Sequence, residues 1–325
     1  MNKPSVYVTK VLPGASVGLL KERCEVEMAA PQELDRAEFL AKVKGRFAVV
    51  VAGGTKIDAA VCEAIKGECK ILANCAVGYD NIDVAAATKC GIYVSNTPGV
   101  VTGATADLAF ALILSLARNI VACDQYVRSG QKGWSPTLLM GCEVSGKTIG
   151  IIGGGRIGTA VGQRAKGFGM KIIYHSTKPN PGFEEATGGR FVTKETLLQE
   201  ADFVSVNVPL LPTTRHLLGA ADFKIMKKTA FLINTARGAV IDEAALAAAL
   251  KNGEIAGAGL DVFEREPELV PGLAELDNVV LTPHVGTSTL ETRIIMGEMC
   301  AANIFAVLDG KLPPNCINPE LKGGN

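Results

Sequence analysis

Short apolar runs rich in β-branched residues recur along the chain, bounded by turn residues and separated by segments with helical spacing of apolar positions. A first series lies at 6–8, 26–28, 48–51, 71–73 and 92–94, with helix-like segments such as 57–65 and 84–89 between its members. A second series begins at 148–152 and continues at 171–174, 203–206, 231–234, 256–260 and 279–281. Strands that alternate with helices join in parallel through crossovers, so the pattern predicts parallel sheets with helices on both faces. The expected fold class is α/β, with two Rossmann-like, doubly wound domains and an active-site cleft between them.

Between the two series stands a turn cluster, Asn96-Thr97-Pro98-Gly99. After it, 102–128 reads as one long helix whose centre is apolar nearly all round, and such a helix has to be buried between domains or subunits. A last helix is expected over 288–308, beyond Pro283, where the chain returns to the first domain. The expected domains are therefore 1–99 plus 286–325, and 100–285.

The chain has 325 residues, enough for two domains of ~100–200 residues each. Lys+Arg and Asp+Glu are both 33, which gives nucleic acid no basic surface to select. The longest apolar stretch, 108–117, falls short of the ~20 residues that span a bilayer, and the start of the chain carries no signal-peptide pattern. The nine Cys form no C-x-x-C pair and have no His at metal-ligand spacing, so reduced thiols, a cytoplasmic location and no metal site are expected.

Chemistry enters at Gly153-Gly154-Gly155-Arg156-Ile157-Gly158, which fits G-x-G-x-x-G directly between an apolar strand and a helix pattern. Gly153 would permit the tight turn, Gly155 the approach of a pyrophosphate, and Gly158 the close packing of helix on strand. The helix start at Arg156 and Ile157 would face the anion with free N–H groups. At the end of the next strand an NAD site usually carries an acid for the ribose 2′-hydroxyl. Here stand His175, Ser176, Thr177 and Lys178, which suit a 2′-phosphate, so NADPH is the favoured cofactor and NADH the alternative. Thr102, at the start of the long helix, is placed with the cofactor-binding residues.

Three polar residues follow apolar strands, where ligands bind in open α/β sheets: Arg237, Glu266 and His284. Imidazole titrates near neutral pH and suits a proton donor, a neighbouring carboxylate would stabilise imidazolium, and a guanidinium fork matches a carboxylate. Together they suit reduction of a 2-oxo acid by a nicotinamide cofactor.

Over nearly its whole length the chain resembles the D-isomer-specific 2-hydroxyacid dehydrogenase family. The resemblance rests on Asn74-Cys75-Ala76-Val77-Gly78-Tyr79-Asp80-Asn81-Ile82-Asp83, Asn96-Thr97-Pro98-Gly99, the glycine motif, Asn234-Thr235-Ala236-Arg237-Gly238, the 261–267 segment and Thr282-Pro283-His284-Val285-Gly286. It implies that Arg237, Glu266 and His284 form the catalytic triad. It also implies that the Val77 and Gly78 N–H groups bind the substrate carboxylate and that Asp261 holds the nicotinamide amide. A homodimer built around the 102–128 helix is implied as well.

Val8-Thr9-Lys10-Val11-Leu12-Pro13 and Trp134 in Gly133-Trp134-Ser135-Pro136 are most similar to glyoxylate/hydroxypyruvate reductases. In that group a Trp here reaches the neighbouring subunit's pocket; an interface anchor is the other reading of Trp134. Formate dehydrogenases carry Gln where this chain has Glu266, which disfavours formate. Phosphite, a larger acid such as 2-ketogluconate, and a nucleotide-sensing role like that of co-repressors stay open as alternatives.

Overall fold

The computed structural model describes residues 3–30 and 34–323, which divide into two units. The first unit is Met1–Val101 with Ser288–Asn325. Its strands are β1 (Ser5–Val8), β2 (Glu25–Met28), β3 (Ala48–Val51), β4 (Ile71–Asn74) and β5 (Tyr93–Ser95). They form one parallel sheet in the order β2-β1-β3-β4-β5, whose direction of winding reverses between β1 and β3. Every residue of β3 and β4 is buried, which is why those strands read as unbroken apolar runs rather than alternating ones.

The helix Leu290–Leu308 completes this unit and packs on β4 and on the turn Gly14–Val17. It starts two residues later than the sequence pattern suggests, because the Thr289 hydroxyl accepts the Thr292 N–H and caps it there. At Gly297 the helix lies so close to the turn that a Cβ would stand 2.1 Å from the Ser16 carbonyl oxygen.

The second unit is Thr102–Thr287. Its strands are β6 (Thr148–Ile152), β7 (Lys171–His175), β8 (Arg190–Phe191), β9 (Phe203–Val206), β10 (Phe231–Asn234), β11 (Gly257–Leu260) and β12 (Val279–Leu281). They lie parallel in the order β12-β11-β10-β9-β6-β7-β8. Read from β8 this is the 3-2-1-4-5-6 order of dinucleotide-binding sheets with one strand added, and the switch point lies between β6 and β9. Helices Pro181–Thr187, Lys194–Glu200, Ala220–Ile225 and Glu243–Lys251 are too short for an apolar period to mark them in the sequence.

The single helix expected over 102–128 is two helices, Thr102–Ala117 and Ile120–Arg128, bent by 63°. The break is at Asn119, which adopts left-handed backbone (φ 50°), a conformation Asn tolerates better than most residues. Its side-chain amide donates to the Leu139 and Met140 carbonyls at 3.3 and 3.0 Å, and the Cys142 N–H takes the Ala117 carbonyl at 2.7 Å. The returning segment therefore ends the first helix. That helix is core: Ala109, Ile113 and Ala117 are fully buried, and Leu112 packs against Gly259 of β11. The second helix has no buried residue. Among the described residues no single helix is long and apolar enough to cross a membrane.

Candidate active site

From β6 the chain turns through Gly153 into the helix Arg156–Gly167. Gly153 has φ 103°, and a Cβ there would lie 2.5 Å from the Asn207 carbonyl oxygen just beyond β9. Gly158 is as tightly confined, since its Cβ would stand 2.0 Å from the Gly153 carbonyl oxygen. Gly155 differs: a Cβ would meet nothing within 4 Å, and no side chain caps the helix there. An uncapped helix start beside open space presents its N–H groups and positive dipole end to an anion. Arg156 is exposed and Ile157 half-buried in that first turn. Two buried polar atoms at neighbouring strand ends, the Asn207 side-chain oxygen and the Thr235 hydroxyl, have no hydrogen-bond partner. This set fits the pyrophosphate and hydroxyl groups of a dinucleotide.

At the end of β7 the His175 carbonyl accepts the Gly153 N–H at 2.8 Å. The His175 ring is held by the Val192 carbonyl, 3.0 Å from Nδ1, and stacks on Phe191. Ser176 is half-buried, and Thr177 and Lys178 are exposed. The next acid along the chain, Glu184, accepts the Tyr174 hydroxyl at 2.8 Å and is occupied there.

Arg237 sits in the turn after β10. The Asn234 side chain shapes that turn, accepting the Ala236 N–H at 3.0 Å and donating to the Arg237 carbonyl at 2.9 Å. Gly238 then passes so close to the segment after β11 that a Cβ would stand 1.9 Å from the Phe263 carbonyl carbon. That segment carries Glu266, whose Oε2 lies 2.8 Å from His284 Nδ1 and whose Oε1 accepts the Phe263 N–H at 3.0 Å. Burial pushes the Glu266 carboxyl up, while the His284 ring pushes it down by hydrogen bond and charge. With help from the Phe263 N–H and the Arg237 charge, the carboxyl is held below the usual carboxylate range.

His284 follows β12 with left-handed backbone (φ 54°), a costly conformation for His that neighbours must enforce. Asp261 enforces it. Its carbonyl accepts the His284 N–H at 2.8 Å, and its buried carboxylate accepts the Thr282 hydroxyl (2.6 Å) and the Val285 and Gly286 N–H groups (2.8 Å each). Three of its roughly four lone-pair directions are thus used inside the protein.

In the first unit, the loop after β4 carries Val77 and Gly78. The Val77 carbonyl accepts the Asn96 side-chain amide at 2.8 Å and the Gly78 carbonyl that of Asn74 at 2.7 Å. Neither N–H group has an acceptor among the described residues. Both are therefore available to an anion. A cavity of about 410 Å³ opens at the winding reversal of the same sheet, lined by Lys10, Leu12, Ala52, Gly53, Thr289 and Arg293 among others.

Residues 110–286 match the domain family described as D-isomer specific 2-hydroxyacid dehydrogenase, NAD binding domain. The chain is 49% identical over 325 residues to a glyoxylate reductase of Thermococcus litoralis, covering 98% of each chain. A solved structure from Thermus thermophilus superposes with a TM-score of 0.89 at 44% identity, over 96% of this chain and 99% of that one. An NADPH-dependent glyoxylate/hydroxypyruvate reductase of Sinorhizobium meliloti, solved with NADP and malonate, gives 0.85 at 32% identity over 98% of each.

The chain belongs to the D-isomer-specific 2-hydroxyacid dehydrogenase family. It is an NAD(P)-dependent enzyme, and its reaction class is the interconversion of 2-oxo and 2-hydroxy acids. The three polar residues singled out in the sequence all fall in the dehydrogenase's second unit, in the segments that follow β10, β11 and β12. Val77 and Gly78 fall in the first. Thr102 begins the buried helix and is itself half-buried. Trp134 stands in the segment after Ile120–Arg128 and is 94% exposed. Sequence reasoning missed Asn207 and Thr235. Both follow apolar strands just as Arg237 does, which was a usable signal.

Proposed function

We propose that this dehydrogenase reduces a small 2-oxo acid, glyoxylate or hydroxypyruvate, to the D-2-hydroxy acid, with NADPH preferred over NADH. The observation that carries the reading is the His284–Glu266 pair, 2.8 Å apart, with the Arg237 charge acting on the same carboxyl. The bound nicotinamide cofactor would supply the hydride that forms the new C2–H bond. His284 Nδ1 is committed to the carboxylate, which leaves Nε2 to donate a proton to the carbonyl oxygen. Arg237 would hold the substrate carboxylate and polarise the carbonyl, and the Val77 and Gly78 N–H groups would serve as further carboxylate donors.

The cofactor would lie on Gly153, Gly155, Arg156, Ile157 and Gly158, with its nicotinamide end toward Asp261 and the Thr102 helix. NADPH preference is supported by the absence of a carboxylate at His175–Ser176 and by the exposed cation Lys178. The engaged state of the Asp261 carboxylate leaves it one acceptor direction for a nicotinamide amide. A homodimer is supported by exposed Ile120, Val121, Val127, Trp134 and Met140, five exposed apolar side chains in the segment beyond the Asn119 break. Nine free thiols suit a reducing, cytoplasmic compartment.

The test is a panel of glyoxylate, hydroxypyruvate, pyruvate and 2-ketogluconate, each with NADPH and NADH. The reading expects the highest kcat/KM for one of the first two with NADPH. A best substrate of sugar-acid size, or turnover with none, would overturn it.

A further inference from the structure

The 18 residues between β11 and β12, 261–278, contain no helix or strand, yet Glu266 must meet His284 from within them. A long irregular loop holds a side chain in place only where its backbone is anchored. Two buried carboxylates supply anchors. Asp261 holds the His284 turn as described. Glu243, at the first position of the helix Glu243–Lys251, is 5% exposed and reaches the other partner's segment. Its Oε2 accepts the Glu264 N–H at 2.6 Å and its Oε1 accepts the Val270 N–H at 2.9 Å. These two bonds bracket Glu266.

We infer that Glu243 is a positioning residue for the reaction: by clamping the Glu264 and Val270 amides it sets where Glu266 presents its carboxylate to His284. The inference rests on the reductase reading only for its kinetic consequence. Gln at this position offers one acceptor oxygen and one NH₂ donor. One of the two backbone N–H groups then faces a donor, and the clamp opens on that side. Asp keeps two acceptor oxygens but withdraws them by one methylene.

In Glu243→Gln, kcat for hydroxypyruvate reduction is expected to fall by up to ~10²-fold, as for a small misplacement of a catalytic pair. The high-pH limb of the kcat profile should move, because the Glu266 carboxylate is no longer aligned with the proton donor. NADPH affinity, read by fluorescence titration, should stay at the wild-type value. Glu243→Asp should restore part of both the rate and the limb. A folded Glu243→Gln protein with a lower melting temperature but wild-type kcat and pH limb would overturn the inference and leave the residue a structural brace. Should Glu243→Gln not fold, Glu243→Asp is read in the same way. In the wild-type protein, hydrogen exchange at the Glu264 and Val270 amides must be slow, and fast exchange there equally overturns the clamp. If no 2-oxo acid is reduced at all, the reductase reading fails, while amide exchange and the NMR titration of the His284 ring in Glu243→Gln still decide the clamp.

Discussion

His284 Nδ1 stands 2.8 Å from Glu266 Oε2, and the other oxygen of that carboxylate accepts the Phe263 N–H. The carboxyl is held below its ordinary range against the opposing effect of burial, so it is ionised whenever the imidazole is protonated at neutral pH. Interaction between two charges is reciprocal. Glu266→Gln removes a negative charge from beside the ring that donates the proton. The pH profile of kcat should therefore change in this variant. His284→Gln should lower kcat by ~10²-fold or more while cofactor binding persists. A Glu266→Gln profile superimposable on wild type would detach the carboxylate from the proton donor.

Arg237 is expected to serve binding and polarisation together. Lysine keeps the charge but not the planar two-point fork. Arg237→Lys should raise KM for the oxo acid and lower kcat, with the NADPH dissociation constant unchanged. A variant altered in KM alone would confine Arg237 to binding.

The cofactor reading turns on the residues after β7. His175→Asp would bring a negative charge near a 2′-phosphate, and Lys178→Ala would remove a positive one. Each is worth ~1–2 kcal/mol at partly screened separations, about tenfold in affinity. Both variants should lose NADPH affinity while NADH is retained or improved. KM values for both cofactors in the three proteins check this, and equal loss of the two in Lys178→Ala would remove the 2′-phosphate from the argument.

Two glycines of one motif should respond in opposite ways. At Gly158 a Cβ would stand 2.0 Å from a backbone oxygen, so Gly158→Ala is expected to lower the melting temperature or prevent folding. At Gly155 the Cβ has open space and the backbone is ordinary (φ −80°). Gly155→Ala should fold with near wild-type stability yet bind NADPH more weakly, because the methyl group occupies the place a pyrophosphate would approach. Calorimetry and cofactor titration on the pair separate the two roles.

The exposed apolar set beyond Asn119 makes a prediction about assembly. Val127 is 70% exposed on the helix Ile120–Arg128. Burying an unpaired charge there costs more than an interface of ordinary size can absorb locally. Val127→Glu should therefore shift a dimer toward monomer in analytical ultracentrifugation without lowering the melting temperature of the monomer. A wild type that sediments as a monomer at all concentrations would show that this face serves something else.

The sequence by itself determined the glycine turn and every strand but the two-residue edge strand β8, and it singled out the three polar residues. Parallel strands buried on both faces must be apolar throughout, and a turn that admits a phosphate must be glycine, so both leave marks in adjacent positions. What adjacent positions do not hold was decided by tertiary structure. The 102–128 segment reads as one helix because apolarity says nothing of where a helix bends; the segment 139–142, bonding to Asn119 and Ala117, ends it. Glu266 and His284 are 18 residues apart in the chain, and their contact depends on loops whose sequences carry no period. Asp261 and Glu243 hold those loops through backbone N–H groups. Every residue but proline has such a group, so no side-chain pattern could have named Glu264 or Val270 as the partners.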